Sequence, residues 1–157
     1  MIRYTTFLVL LTIFFCSCST APTLQNSTAH IYYINDRDMY WSDARIFRRN
    51  MCRTKHLEVS LSIPEDTLQE IGRIANDSGF FGLPDNLSDR SQYCTGGHAA
   101  RLSLSFEGKT NIVYWDFMCI GPSKNPKELT SLLSALDNAI YKNASVKSLG
   151  NSDCRIH

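Results

Sequence analysis

The sequence predicts a single α+β domain, in which two helices pack on one face of an antiparallel sheet. Three observations lead to this fold class: a β-hairpin pattern, a separate alternating segment, and two amphipathic helical patterns. Apolar residues at every second position predict strands, whereas apolar residues three and four positions apart predict helices. Because a sheet and a helix each have one apolar side, stacking those sides removes both from water.

The N-terminal segment has the pattern of an export signal. Arg3 precedes an apolar run of about nine residues, which fits the core of a signal peptide and is too short to span a membrane. The run ends in Phe15-Cys16-Ser17-Cys18, which resembles the lipobox of bacterial lipoproteins, although that family favours Leu where this chain has Phe. The resemblance implies that residues 1–17 are a signal peptide and that Cys18 becomes the lipidated N-terminus.

An ordinary secretory signal is the alternative, with cleavage after Ser17, Ser19 or Ala21. In either case the mature chain is exported. In a double-membraned host, Ser19 directly after Cys18 implies a lipoprotein of the outer membrane that faces the periplasm. The several acyl chains of a lipoprotein cysteine would hold the chain firmly at the membrane.

The mature chain is expected to be a tether followed by one domain. Residues 18–28 are uncharged and contain little to bury, which is typical of a flexible tether. Residues 29–157 are expected to form the single α+β domain, because the mature chain of about 140 residues has an ordinary domain size. A formal net charge of +1 and the balanced composition indicate neither disorder nor a nucleic-acid partner.

Three segments in the first half of the domain are predicted strands. Residues 29–34 are rich in strand formers and end at the polar turn 35–38. A weaker strand is predicted over residues 39–47. Residues 57–63 alternate apolar and polar side chains, which is typical of a half-buried strand.

A basic stretch overlaps the second of these strands and continues beyond it. We interpret it as a solvated strand edge that is protected from aggregation by its charge. The alternative is contact with anionic lipid headgroups near the anchor. The basic residues are Arg45, Arg48, Arg49, Arg53 and Lys55.

The first helix is predicted to begin near Pro64, which suits a first helical turn. Ser62 and Glu65 have the spacing of a capping box. Gly79 is expected to end the helix in a left-handed conformation. One apolar face recurs at helical spacing and consists of Leu68, Ile71, Ile74 and Ala75.

The clearest local prediction is a β-hairpin, formed by residues 101–106 and 109–117 around a turn at Glu107 and Gly108. The second helix is predicted over residues 126–141, with Asn125 as its cap and Glu128 at its third position. Its apolar face lacks bordering Lys or Arg, so it is expected to pack on the sheet rather than on a membrane. That face consists of Leu129, Leu132, Leu133, Leu136 and Ile140.

Four cysteines remain in the mature domain, and in an oxidising compartment an even number predicts disulfides. Pairing outward from the hairpin turn brings Cys94 and Cys119 to the same open end. These two are therefore predicted to bond, which leaves Cys52 and Cys154 for each other. The second bridge would fix the tail after Lys147, which has little apolar content of its own.

The helix-to-hairpin junction carries a further resemblance. The first helix ends in Gly79-Phe80-Phe81-Gly82-Leu83-Pro84, followed by a hairpin with Gly at its turn and a Pro-initiated Leu-rich helix. Over residues 62–140 this pattern resembles small bacterial domains, among them emfourin-like inhibitors of thermolysin-type metalloproteases and envelope lipoproteins. The phenylalanine pair is expected to plug the core. The shared residues are structural, so the resemblance implies a fold and transfers no inhibitory residue.

The sequence contains no catalytic signature: no zinc-binding His-Glu-x-x-His, no phosphate-binding glycine loop and no Gly-x-Ser-x-Gly elbow. Cys94 and His98 have a spacing that a nucleophile and base, or half of a metal site, could use. The disulfide interpretation is favoured for Cys94, because catalysis needs a free thiolate.

We therefore expect a non-enzymatic envelope lipoprotein that is held at the membrane by its lipid and binds another macromolecule, such as an envelope protein. No metal, cofactor or small-molecule substrate is predicted. An inhibitor of a secreted protease is the alternative, and a thiol or metal enzyme built on Cys94 and His98 ranks last.

Overall fold

The structure, a computed structural model, describes residues 27–88, 99–116, 126 and 129–154. It contains a six-stranded antiparallel sheet with two helices packed on one face, as the sequence predicts. The strands are β1 (His30–Ile34), β2 (Asp38–Trp41), β3 (Ile46–Arg49), β4 (Leu57–Ser60), β5 (Ala99–Phe106) and β6 (Lys109–Asp116). Their order across the sheet is β4-β3-β2-β1-β5-β6.

The helices are α1 (Glu65–Asp77), α2 (Thr130–Tyr141) and the short α3 (Ala144–Lys147), and a 3₁₀ turn spans Phe80–Gly82. In the part of the chain that the structure describes, no helix has the length and apolar character to cross a membrane. Every second side chain along the strands points toward the helices, because successive side chains of a strand point to opposite faces of the sheet, and most of these side chains are buried. The fully buried side chains on that side include Ile31, Tyr40, Phe47, Leu102, Leu104, Val113 and Trp115.

The single strand predicted over residues 39–47 is wrong, because this segment forms β2, a turn and β3. The turn contains Ser42 and Asp43, which favour turns through local hydrogen bonds. Arg45 has a left-handed backbone with φ of 54°, and its N–H donates to the Ser42 carbonyl at 3.1 Å. The turn is held to the sheet because the Ser42 hydroxyl accepts a hydrogen bond from the Ile31 N–H at 2.8 Å.

The predicted capping box at the start of α1 is also wrong. Pro64 occupies the cap position, and no side chain caps the helix. Ser62 lies two residues before the cap, too early for its hydroxyl to reach the first free N–H groups as a cap does. Glu65 instead accepts a hydrogen bond from the Thr28 hydroxyl at 2.7 Å. The end of α1 follows the prediction, since Gly79 is left-handed with φ of 75°.

The predicted core plug is confirmed for Phe80, which is fully buried and packs edge to face against Phe81 with ring centroids 5.4 Å apart. Asn111 of β6 donates to the Phe80 carbonyl at 2.8 Å and to the Leu83 carbonyl at 3.0 Å. The Gly-Phe-Phe-Gly-Leu segment is thus fixed both by apolar packing and by an amide from the neighbouring strand.

The hairpin of β5 and β6 is confirmed, and its turn residues Glu107 and Gly108 both have positive φ, 49° and 74°. Helix α2 begins at Thr130 instead of near Pro126, although the Leu129 N–H already donates to the Pro126 carbonyl at 3.0 Å. The predicted cap, Asn125, and Glu128 lie outside the described residues. All five predicted apolar residues of α2, from Leu129 to Ile140, are buried.

Gly72 lets α1 approach β5 closely, and the sequence pattern did not single it out. A Cβ added at this buried position would lie 2.3 Å from Cδ2 of Phe106, whose ring is itself buried. We expect Gly72→Ala to lower the free energy of unfolding by about 1–2 kcal/mol in a urea titration. Overpacking costs about 1–3 kcal/mol, and the better helix propensity of Ala returns less than about 1 kcal/mol at such a site.

Gly82→Ala is the matched control, because an added Cβ there has nothing within 4 Å and the backbone is not left-handed. It should leave stability within about 0.5 kcal/mol of the parent. Equal stability of Gly72→Ala and the parent would show that the ring of Phe106 relaxes freely.

Candidate binding face

The structure tests one of the two predicted disulfides. Cys52 and Cys154 are bonded, as predicted, whereas Cys18, Cys94 and Cys119 lie outside the described residues, as does His98. Asp153 supports the bonded pair: its carboxylate accepts the N–H of Cys52 at 2.6 Å. These three residues place potential metal-ligand atoms within 4.8 Å of one another. Because both sulfurs are used in the disulfide, the cluster offers no thiolate to a metal ion.

The side of the sheet that faces away from the helices, here called the open face, is unusually aromatic. Trp41 is 46% exposed and Tyr114 is 42% exposed, and they are the large exposed hydrophobic residues of the described chain. Directly opposed residues of antiparallel strands share a face, so the strand register identifies their neighbours. Tyr32 is opposite Trp41, and Arg101 is opposite Tyr114.

These four residues contact one another in sequence across β2, β1, β5 and β6. We call them the aromatic row, which consists of Trp41, Tyr32, Arg101 and Tyr114. Tyr32 and Trp41 pack edge to face, with ring centroids 6.5 Å apart and an interplanar angle of 83°. The Cζ of Arg101 lies 5.4 Å from the Tyr32 ring centroid and 5.3 Å from that of Tyr114. The guanidinium is therefore held between two tyrosine rings by cation–π contacts.

The surroundings of the aromatic row are aliphatic apart from Ser103, which lies opposite Tyr32. The Tyr32 hydroxyl donates to Sδ of Met39 at 3.6 Å, which fixes the ring against its neighbour. At one side of the open face Arg48 and Glu58 form an ion pair with a shortest N–O distance of 2.9 Å. The partly buried aliphatic neighbours on the same face are Ile34, Met39, Ile46 and Ile112.

Arg101 differs from the other arginines of the sheet in having no acidic partner. Its side chain takes part in no ion pair or hydrogen bond among the described residues, and its Nε is buried without a partner. Among the described residues, the open face thus presents one arginine without an acidic partner within a largely apolar and aromatic surface.

The basic stretch turns out to be divided between both sides of the sheet. Arg49 is buried on the helix side and forms two hydrogen bonds with Asp38, from Nε at 2.9 Å and from Nη2 at 3.1 Å. These bonds raise the pKa of Arg49 above its usual value. The prediction of a solvated edge is therefore wrong for Arg49, and β3 is an interior strand of the sheet.

A cleft of about 370 Å³ lies between the start of β1, the β2–β3 turn and the start of α1. His30 Nδ1 is 2.6 Å from Asp43 Oδ1, and the Ser42 hydroxyl donates to the same oxygen at 3.3 Å. Since serine and histidine both contact the carboxylate and not each other, the cluster lacks the nucleophile–base contact of a serine hydrolase. Tyr40 also lines this cleft, and burial raises its pKa to about 12.

Two tyrosines lie on the core side, where burial disfavours their charged forms. Burial raises the pKa of Tyr33 to about 12, and it also raises the pKa of Asp137 and of Tyr141. Tyr33 and Tyr141 both accept hydrogen bonds from the side-chain amide of Asn35, at 3.2 and 3.3 Å. Tyr33 and Tyr141 therefore stay neutral at physiological pH and serve as packing elements.

Comparisons with protein-family models, with curated proteins and with solved structures found no match to this chain. The resemblances to bacterial lipoproteins and to emfourin-like domains therefore stay predictions from the sequence.

The sequence prediction did not identify the aromatic row, although a signal for it is present. Residues 31–34, 39–41 and 112–115 are unbroken apolar runs, whereas a strand with one solvated face alternates. Such runs indicate apolar groups on both sides of the sheet. The signal does not show which side the helices cover.

Proposed function

We propose that this chain is an exported, lipid-anchored protein of the cell envelope, without enzymatic activity, that binds another macromolecule through its open face. The observation that supports it best is the aromatic row, in which exposed Trp41 and Tyr114 flank Tyr32 and Arg101 on a rigid sheet. Tryptophan, tyrosine, arginine and methionine are the residues enriched where proteins bind partners.

The architecture favours binding over catalysis. In the described residues, the clusters of titratable groups are tied to each other or to the backbone, as in the His30–Asp43 contact and the Asp153 hydrogen bonds. The open face is built on strands whose positions are set by a continuous hydrogen-bonded sheet. A rigid surface of this kind limits the ordering cost of binding.

The experiment is photo-crosslinking in host cells, with a photoreactive amino acid placed in the full chain at position 114. We expect a discrete protein adduct that disappears when Trp41→Ala is added. The matched control is the same label at Asn138, which is exposed on α2 at the opposite side of the domain. Adducts of equal yield from both positions, or from Asn138 alone, would contradict binding through the open face.

The anchor has its own prediction. The mass of the mature N-terminal peptide is expected to correspond to a chain that begins at Cys18 and carries acyl groups, because residues 15–18 resemble a lipobox. The control is Cys18→Ser, which should abolish the mass increment and release the protein from the membrane fraction. An unmodified N-terminus after Ser17, Ser19 or Ala21 would replace the lipoprotein by a secreted protein and leave the open-face proposal untouched.

A further inference from the structure

The guanidinium of Arg101, which has no acidic partner among the described residues, is the starting point of an inference that rests on the proposed function. We infer that Arg101 is the anion-binding centre of the open face, and that the partner is a protein surface presenting one Asp or Glu carboxylate surrounded by apolar side chains.

The first argument is hydrogen-bond satisfaction. An arginine has five N–H donors, and a buried donor without an acceptor costs free energy. The Nε of Arg101 is buried and has no partner among the described residues. Unsatisfied polar groups of this kind are rare in native proteins and call for an explanation such as a bound ligand. The two Nη groups of Arg101 are not among the buried atoms, so an acceptor brought by a partner can bond to them, whereas Nε is reached only if the side chain shifts.

The second argument is geometry. The rings of Tyr32 and Tyr114 lie over the guanidinium of Arg101, at 5.4 and 5.3 Å from its Cζ. The N–H bonds lie in the guanidinium plane, so an acceptor approaches along the edge of that plane and not through the sides that the rings contact. A carboxylate matches this edge with two parallel hydrogen bonds. The two cation–π contacts also restrict the side chain in advance, which lowers the entropy cost of forming these hydrogen bonds.

The third argument is charge. A phosphate-rich polymer is bound by many cations, each neutralising one phosphate. On the described open face, the other arginine, Arg48, is already paired with Glu58. His30, near the end of β1, contacts Asp43. A single unpaired cation suits an isolated carboxylate and does not suit a nucleic acid or another polyphosphate.

The fourth argument separates a protein from a glycan. Sugar hydroxyls need polar partners when they are buried, and unpaired ones are costly. The aromatic row is bordered mainly by Met39, Ile34 and Ile112, and Ser103, opposite Tyr32, is the hydroxyl beside it. The hydroxyls of Ser105 and Thr110, further along the face, bond to each other at 2.8 Å. Apolar side chains around an aspartate or glutamate fit this surface better than a polysaccharide does.

The test uses the purified full chain and two probe peptides, Ac-Leu-Asp-Phe-NH₂ and Ac-Leu-Asn-Phe-NH₂, which differ in one charge. Binding is followed by NMR at the Trp41 indole N–H and the Arg101 Nε–H. We expect the Asp peptide to bind about tenfold more tightly than the Asn peptide, since charge-assisted bidentate bonds are about twice as strong as neutral ones. Arg101→Gln should remove this preference, and Arg101→Lys should reduce it because an ammonium lacks the planar fork.

The matched control is the double variant Arg48→Gln/Glu58→Gln, which removes the neighbouring ion pair without changing the net charge and should keep the preference for Asp. Equal binding of the two peptides, lost in Trp41→Ala, would overturn the carboxylate assignment and leave the open face as the binding surface. Peptide binding that is unchanged by substitution of both Trp41 and Arg101, or the absence of binding, would overturn the inference. Photo-crosslinking at position 114 tests the proposed function separately. Tighter binding of polygalacturonate than of either peptide, dependent on Arg101, would overturn the protein partner in favour of a glycan.

Discussion

Replacing Cys52 and Cys154 together by serine is expected to lower the free energy of unfolding by about 2–5 kcal/mol, measured by urea titration of the purified chain. The bond joins residues 102 positions apart, and long closed loops restrict the unfolded chain most. It also fixes a tail with few buried apolar groups. Replacing both cysteines avoids an unpaired thiol that could exchange with other disulfides.

The tail gives a control that keeps the disulfide. Asp153 accepts hydrogen bonds from the N–H groups of Cys52 at 2.6 Å and Arg53 at 3.3 Å. Asp153→Asn weakens these bonds while the cysteines stay joined, so it should cost about 1 kcal/mol. If the serine double variant were no less stable than Asp153→Asn, the stabilisation would come from tail packing and not from the covalent bond.

The disulfide also shows how far the sequence could lead. Its pairing was predicted by elimination, from the hairpin register that assigns Cys94 to Cys119. The structure contains the Cys52–Cys154 bond, while the first pair lies outside the described residues. The predicted bond between Cys52 and Cys154 is therefore confirmed, and the bond between Cys94 and Cys119 stays a prediction.

The hairpin and both helices could be predicted because their signals are local. A two-residue turn with Gly108 and a left-handed Gly79 are properties of a few adjacent residues. The split of residues 39–47 was missed because that segment has no glycine or proline at its turn. As one continuous strand, it would place Tyr40 and Phe47 on opposite faces, whereas the turn brings both into the core.

The aromatic row could not be predicted, because it depends on contacts between distant parts of the chain. Tyr32 meets Arg101 only because β1 pairs with β5 in the middle of the sheet. Strand alternation gives the side of each residue within its own strand and does not give the neighbouring strand. Arg101 has no acidic partner among the described residues because the fold places their carboxylates elsewhere, and this too depends on distant parts of the chain.

The buried pair of Arg49 and Asp38 gives the second large expected effect. Arg49→Met should lower the free energy of unfolding by about 3–5 kcal/mol in a urea titration, because Asp38, only 6% exposed, would keep a buried charge without its partner. The variant also loses the hydrogen bond that Arg49 Nη1 donates to the Gly150 carbonyl in the tail. The loss of the ion pair and the loss of this hydrogen bond both destabilise the folded state.

Two further variants decide whether the unpaired charge is the cause. Asp38→Asn added to Arg49→Met removes that charge, so the double variant should be more stable than Arg49→Met alone. Arg48→Met is the matched control on the same strand, since its pair with Glu58 is partly solvated and should cost no more than about 1 kcal/mol. If Arg49→Met cost no more than Arg48→Met, the buried pair would contribute little, and the cation–π contact of the Arg49 guanidinium with the Phe47 ring would account for its burial.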